Sequence, residues 1–260
     1  MFLRVIRGGG FVFLLILIAM IMLQSCTIKD ETWHRIEKTA VLKIGLDPTY
    51  PPFEVADESG LYGLDIDLAN AVAADLGLNV EFVLFGYDGL YDALATQQVD
   101  VLLSALIIAP ERTRDFAFTE PYFNAGEILI VRSGNEDIVE MADLNGRFLA
   151  VELGAQGHVE AISWERKLSN LTVIPFGSAD EALTAVADGT ADAALVDAIS
   201  GRLFVAEHPA LSWVETAVTV EPFAMVVRIA DEQLLEKLNE SLARLQENGT
   251  HAKIINKWID

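Results

Sequence analysis

From residue 41 onward the chain alternates short β-branched runs with stretches whose apolar residues recur at helical spacing. That alternation restricts it to an α/β architecture in which helical crossovers connect strands of a largely parallel sheet. Residues 41–46 read as a first strand. Ile66, Ala69, Val72, Ala73 and Leu76 then share one helical face and Gly77 supplies a stop, which predicts a helix over 65–76. Residues 79–85 form a second predicted strand, 90–97 a helix and 100–107 a third strand, after which Pro110 opens a short helix. The pattern restarts near Gly146. Strands are predicted at 148–153, 171–176 and 193–196, with helices at 156–168 and, behind Ser178 and Glu181 at capping-box spacing, at 182–187. Two further strands are predicted at 213–220 and 224–227, then a helix over 231–246 that ends before Gly249.

The two halves echo one another. Residues 89–103 and 181–195 align without gaps and share Ala93/Ala185, Ala95/Ala187, Asp100/Asp192 and Leu103/Leu195. Both read as helix, tight turn, buried strand, so the same unit is expected once in each of two lobes. In an open α/β sheet the ligand crevice lies beyond the carboxyl ends of the strands. Those ends are residues 104–107 in one half and Val196-Asp197 in the other.

Catalytic and metal motifs are missing. His34, His158, His208 and His251 are scattered, none at ligand spacing from another, and the chain holds no G-x-S-x-G elbow, P-loop or G-x-G-x-x-G. No cofactor and no metal is expected. What the chain does hold is a set of loops suited to a small zwitterion. Asp47-Pro48-Thr49-Tyr50-Pro51-Pro52-Phe53-Glu54 is a proline-stiffened loop with two aromatic faces and two carboxylates. Phe53 reads as a core plug and Tyr50 as a cleft residue. Ser104 to Arg112 runs from a strand into a helix start, where free N–H groups favour an anion. Arg112 can fork onto a carboxylate, or pair on the surface with Glu111 or Asp115. Gly154-Ala155-Gln156-Gly157 is a second turn able to offer backbone donors. Asp197 ends an apolar strand, where a carboxylate is costly unless it pairs with an ammonium or caps the segment beginning at Ala198.

Composition matters mainly at the N-terminus. The single cysteine, Cys26, excludes a disulfide framework. It follows Arg4, Arg7 and an apolar run over 11–23, too short for the roughly 20 residues of a membrane span and suited to an export signal. Leu23-Gln24-Ser25-Cys26 resembles a bacterial lipobox, which implies cleavage after residue 25 and a lipid on the Cys26 thiol. The net charge of −21, or −23 once Arg4 and Arg7 are removed, argues against nucleic-acid partners.

Several motifs in combination give a family resemblance over residues 41–259. They are Gly45-Leu46-Asp47 with Tyr50-Pro51-Pro52-Phe53-Glu54; Gly63-Leu64-Asp65-Ile66-Asp67-Leu68; Asp100 through Pro110-Glu111-Arg112; Phe118-Thr119-Glu120-Pro121-Tyr122; Gly189 through Asp192; and Asn248-Gly249-Thr250 before Lys257-Trp258. The chain resembles the family 3 bacterial extracellular solute-binding proteins, the polar amino-acid receptors of ABC importers.

The resemblance implies an α/β type II periplasmic-binding-protein fold of two lobes joined by a two-crossing hinge. It also implies a monomeric extracytoplasmic receptor, lipid-anchored to the membrane, that delivers an amino acid to an ABC permease. The expected division is a signal peptide over 1–25, a tether over 26–40, lobe 1 over 41–130 plus 221–260, and lobe 2 over 131–220. Arg112 would hold the ligand carboxylate and Asp197 its ammonium, with Tyr50 and Tyr87 flanking its side chain and Asp47 near the far end. The candidate ligand-binding set is Asp47, Tyr50, Phe53, Tyr87, Ser104, Ala105, Arg112, Gln156 and Asp197, with Glu152 as an addition that would favour a cationic side chain. Two positions depart from the family pattern. Ile107 stands where a hydroxyl is usual, and Ala155-Gln156 where threonine is. The same fold also resembles periplasmic cyclohexadienyl dehydratases, for which Glu152 or His158 would be the general acid. The ligand sensor of a signalling system is a third reading.

Overall fold

A computed structural model describes residues 31–260. The expected signal segment and the lipid-attachment residue Cys26 lie outside the described residues. The expected tether does not extend through residue 40, because Glu31–Thr39 forms a helix, α1. Trp33 and Ile36, one turn apart, are buried in the first lobe, and Arg35 pairs with Asp100.

Strand β1 (Val41–Leu46) leads into a small antiparallel sheet of β2 (Thr49–Tyr50), β3 (Glu54–Asp57) and β4 (Gly60–Tyr62). Helix α2 (Leu64–Asp75) returns the chain to β5 (Asn79–Leu84), and α3 (Leu90–Ala95) to β6 (Val101–Leu102). Both strands are parallel to β1, as helical crossovers dictate. After β7 (Phe116–Phe118) and β8 (Phe123–Asn124) the chain enters a second sheet with β9 (Glu127–Arg132), β10 (Phe148–Glu152), α4 (Gln156–Glu165), β11 (Thr172–Phe176), α5 (Ala179–Ala187), β12 (Ala193–Asp197), α6 (Ala198–Glu207) and β13 (Leu211–Trp213). It returns through β14 (Pro222–Phe223) to β15 (Val226–Arg228), α7 (Glu232–Glu247) and α8 (Thr250–Trp258). The sheet orders are β5-β1-β6-β15-β7 and β11-β10-β12-β9-β13. Each sheet is covered on both faces by its own apolar clusters.

The internal echo has a physical basis. The Asp100 carboxylate accepts the N–H of Lys43 at 2.9 Å, and the Asp192 carboxylate accepts the N–H of Phe148 at 2.8 Å. Each aspartate thereby pins the strand it precedes, β6 or β12, to the strand beside it, β1 or β10.

Several sequence expectations are corrected. The first crossing is not at 130–132, and residue 130 is no lobe boundary, because Glu127–Arg132 pairs along its length between β12 and β13. The crossing is at 123–126, where β8 pairs with β14. Asn124 staples the two segments: its Oδ1 accepts from the N–H groups of Gly126 and Glu221. The strand expected over 100–107 ends at Leu102, since Ala105 turns through φ 45°. The one expected over 213–220 is β13 followed by a loop. Helix α8 was not foreseen; its apolar residues Ile254 and Ile255 are buried in the first lobe.

Candidate functional site

The carboxyl ends of β1 and β6 and the β2–β3 turn enclose a cavity of about 350 Å³ lined by Asp47, Tyr50, Glu54, Tyr87, Ser104, Ala105, Ile107 and Phe223. The loop after β1 holds its shape through Asp47, which accepts from the Thr49 hydroxyl at 2.9 Å and the Tyr87 N–H at 2.8 Å. Tyr50 is 44 % exposed and stacks on Phe53, with centroids 5.6 Å apart. Phe53 is fully buried and packs edge-on against Phe123 and Phe223 of the hinge strands. It therefore supports Tyr50 from the core and does not line the cavity, as the core-plug reading holds and its place in the ligand-binding set does not.

The floor of this cavity is a buried acid pair that sequence reasoning missed. Ser104 Oγ donates to Glu54 Oε1 at 2.7 Å and accepts from the Asp47 N–H at 3.0 Å. Asp65 Oδ2 accepts from the Ala105 N–H at 2.8 Å and the Tyr122 hydroxyl at 3.0 Å. Ser104 and Ala105 thus spend their donors on the floor. The remaining oxygens, Glu54 Oε2 and Asp65 Oδ1, are buried with no other partner, and one shared proton satisfies both. Burial first, then the Asp65 charge, raises the Glu54 pKa, and burial raises that of Asp65. A raised carboxyl stabilises the fold below its unfolded value, roughly 4.3, and that contribution is lost as pH climbs toward the folded value. Glu54→Gln supplies the shared proton permanently. Chemical denaturation at pH 6 and pH 9 is expected to show the variant losing less stability on alkalinisation than the parent, by about 1–4 kcal/mol.

Arg112 lies beyond Ile107, in an adjoining cavity of about 460 Å³ with Tyr87, Tyr91 and the residues 106–111. Its guanidinium sits 3.8 Å above the Tyr91 ring and makes no ion pair with Glu111 or Asp115. Tyr91 was not singled out from sequence, although it stands four residues after Tyr87, at the spacing that puts two side chains on one helical face.

The second lobe carries the remaining candidate residues at the carboxyl ends of its own strands. Asp197 ends β12 and caps α6, its Oδ1 accepting from the N–H groups of Ile199 and Ser200 at 3.1 and 2.9 Å. Both hydrogen bonds fall on one oxygen. Gln156, exposed, begins α4, and Glu152, half-buried, ends β10. Burial, then the charges of Asp197, Glu54 and Glu221, raise the Tyr50 pKa, so acids of both lobes bear on that ring. Glu127 and Glu221, also missed from sequence, sit at the hinge. Ser104, Ala105, Asp47, Tyr50 and Tyr87 thus share one cavity, Arg112 its neighbour, and Asp197, Gln156 and Glu152 the facing lobe. Among the described residues no group of His, Cys, Asp and Glu is arranged to hold a metal, and no helix is long and apolar enough to cross a membrane.

Residues 42–260 match the model of the bacterial extracellular solute-binding proteins, family 3. A probable amino-acid ABC transporter-binding protein of Haemophilus influenzae is 28% identical over 232 residues, covering 88% of each chain. The L-cystine-binding protein of Escherichia coli K12 is also 28% identical, covering 87% of this chain and 85% of its own. Among solved structures, an ancestral cationic amino-acid solute-binding protein is 34% identical with a TM-score of 0.63, over 88% of this chain and 100% of that one. The unliganded, open L-cystine receptor of Neisseria gonorrhoeae is 25% identical with a TM-score of 0.76, over 87% and 95%. An ancestral cyclohexadienyl dehydratase is 26% identical with a TM-score of 0.75, over 86% and 95%.

Proposed function

The chain belongs to the family 3 bacterial extracellular solute-binding proteins, and from that premise we propose that it is an extracytoplasmic receptor that closes two lobes on an amino acid and presents it to an ABC importer. The observation that supports this reading is the cavity at the carboxyl ends of β1 and β6, lined by Asp47, Tyr50, Tyr87, Ser104 and Ala105, with Asp197 at the carboxyl end of β12 in the lobe joined to it by a hinge of two crossings. Arg112 serves the ligand carboxylate after leaving its shelf on Tyr91. Asp197 serves the ammonium with the oxygen its cap leaves over. The acids Asp47, Glu152, Asp197 and Glu221 around the cleft outnumber Arg112, a balance that favours a cationic amino acid, the class for which the ancestral relative is named. A lipid on Cys26 anchors the protein as a monomer outside the cell membrane.

Calorimetric titration with the twenty amino acids tests this. Micromolar binding of at least one is expected, and Arg112→Ala weakens it by about tenfold or more, since a charge-assisted pair is worth about 1.5–3 kcal/mol. Absence of any binding, or unchanged affinity in the variant, contradicts it.

The likeness to an ancestral dehydratase favours a second reading, cleft catalysis. It requires a general acid, with Glu152 at the end of β10 and His158 on α4 as candidates. The His158 Nδ1 accepts from the Gly154 N–H at 3.1 Å, which leaves only the other ring nitrogen for that work. Turnover of prephenate or arogenate by the purified protein decides for it; binding of amino acids without turnover decides against it.

A further inference from the structure

Glu127 is the least expected residue near the cleft. It opens β9 immediately after the first crossing, where its own N–H donates to Thr219 Oγ1 at 2.8 Å. In the β9–β12 ladder its register partner is Asp197. Directly opposed residues of an antiparallel pair project to the same face, with Cβ atoms about 4.5–5.5 Å apart, and like charges there repel. Glu127 is 5 % exposed, and its Oε2 is buried without a hydrogen-bond partner, against Gly157 at the start of α4. No described residue forms an ion pair with Glu127, Asp197, Glu152 or Glu221. A buried carboxylate set against another acid is costly to charge and holds its proton more tightly than an exposed one.

We propose that Glu127 is a positioning residue for the ligand's ammonium group: a cation arriving at Asp197 drives the Glu127 carboxyl to give up its proton, so that ligand enters in exchange for H⁺. This inference rests on the receptor reading above and deepens it. The charge balance is simple. The O–H bond of the Glu127 carboxyl breaks, its proton goes to solvent, and one positive charge at Asp197 replaces it. The charges that bear on Glu127 are acidic: Asp197, its register partner on β12, then Glu221 from the second crossing and Glu152 from β10, while the Gly157 N–H at the start of α4 acts the other way. Burial first, then those three acids, hold its pKa at about 7. Glu127 is therefore poised to release a proton near neutrality, and a cation beside Asp197 lowers its pKa.

The test is calorimetric titration with L-arginine, or with a tighter binder from the twenty-member panel, in phosphate and in Tris. The difference in apparent enthalpy between the two buffers counts the protons released. At pH 7 the parent protein is expected to release a sizeable fraction of a proton, shrinking by pH 8.5, whereas Glu127→Gln binds with none. Binding by the parent without release, or equal release by the variant, overturns the proposal. If Glu127→Gln does not fold, the carboxyl ¹³C resonance of Glu127 in the parent reads the same quantity. A midpoint near 7 that falls by about one unit or more with amino acid supports the exchange, and an unmoved midpoint overturns it. A parent protein that binds no amino acid fails the receptor reading itself, an outcome distinct from binding without proton release.

Discussion

Asp197→Asn is expected to weaken amino-acid binding by roughly thirtyfold or more while leaving the fold intact. Asp197 has two jobs: its Oδ1 caps α6 through the N–H groups of Ile199 and Ser200, and its charge faces the cleft. Asparagine caps a helix about as well as aspartate, so the folding job survives and the charge alone is removed. Truncating one partner of a hydrogen-bonded charge pair costs about 2–5 kcal/mol, an affinity loss of roughly thirtyfold or more. Asp197→Ala loses the same affinity and in addition about 0.5–2 kcal/mol of stability with the cap. Calorimetry and denaturant melts of the two variants separate the roles. An asparagine variant that binds normally would remove Asp197 from the site.

The second large effect is in the hinge. A Cβ on Gly126 would lie 2.2 Å from the Thr219 carbonyl oxygen, a backbone atom of the other crossing that no rotamer change can move. Gly126→Ala is expected to pry the two crossings apart, at a cost of about 3 kcal/mol or more in stability. Because Asn124 holds the same two segments together, the register of the lobes, and with it ligand binding, is lost too. Gly86→Ala is the control: nothing lies within 4 Å of its Cβ and its backbone is ordinary extended chain, so its denaturation midpoint stays close to the parent's.

Much of this architecture was legible as pattern. The crossover units around β1 and β10 follow from helical periodicity, and the short echo of 89–103 in 181–195 pointed to the same helix, turn and strand in both lobes, where Asp100 and Asp192 each pin a strand. What escaped was whatever depends on partners distant in sequence. Trp33 and Ile36 in a polar segment gave no long period, yet they bury against the first lobe. The fully apolar core of β9 reads equally as connector or strand until its neighbours β12 and β13 are known. In the site, the loop from Asp47 to Glu54 and the strand end at Asp197 were singled out because loops after parallel strands converge on a crevice, whereas Tyr87 entered only through the family resemblance. Phe53 read as a core plug from its loop and yet stood in the ligand set beside Tyr50, and its full burial bears out the first reading alone. The Glu54–Asp65 pair and Glu127 escaped because a proton shared across eleven residues, or a charge set against its cross-strand partner, leaves no local spacing to recognise.

The account rests on two lobes that close on an amino acid, and small-angle X-ray scattering tests it most directly. The cleft faces are open to solvent here, with Tyr87 63 % and Leu153 64 % exposed. The radius of gyration of the protein is expected to fall when the amino acid selected by calorimetry is added at a few times the parent's Kd, and to change far less in Asp197→Asn at the same concentration. A parent protein that binds the amino acid with no change in its radius of gyration would contradict the account.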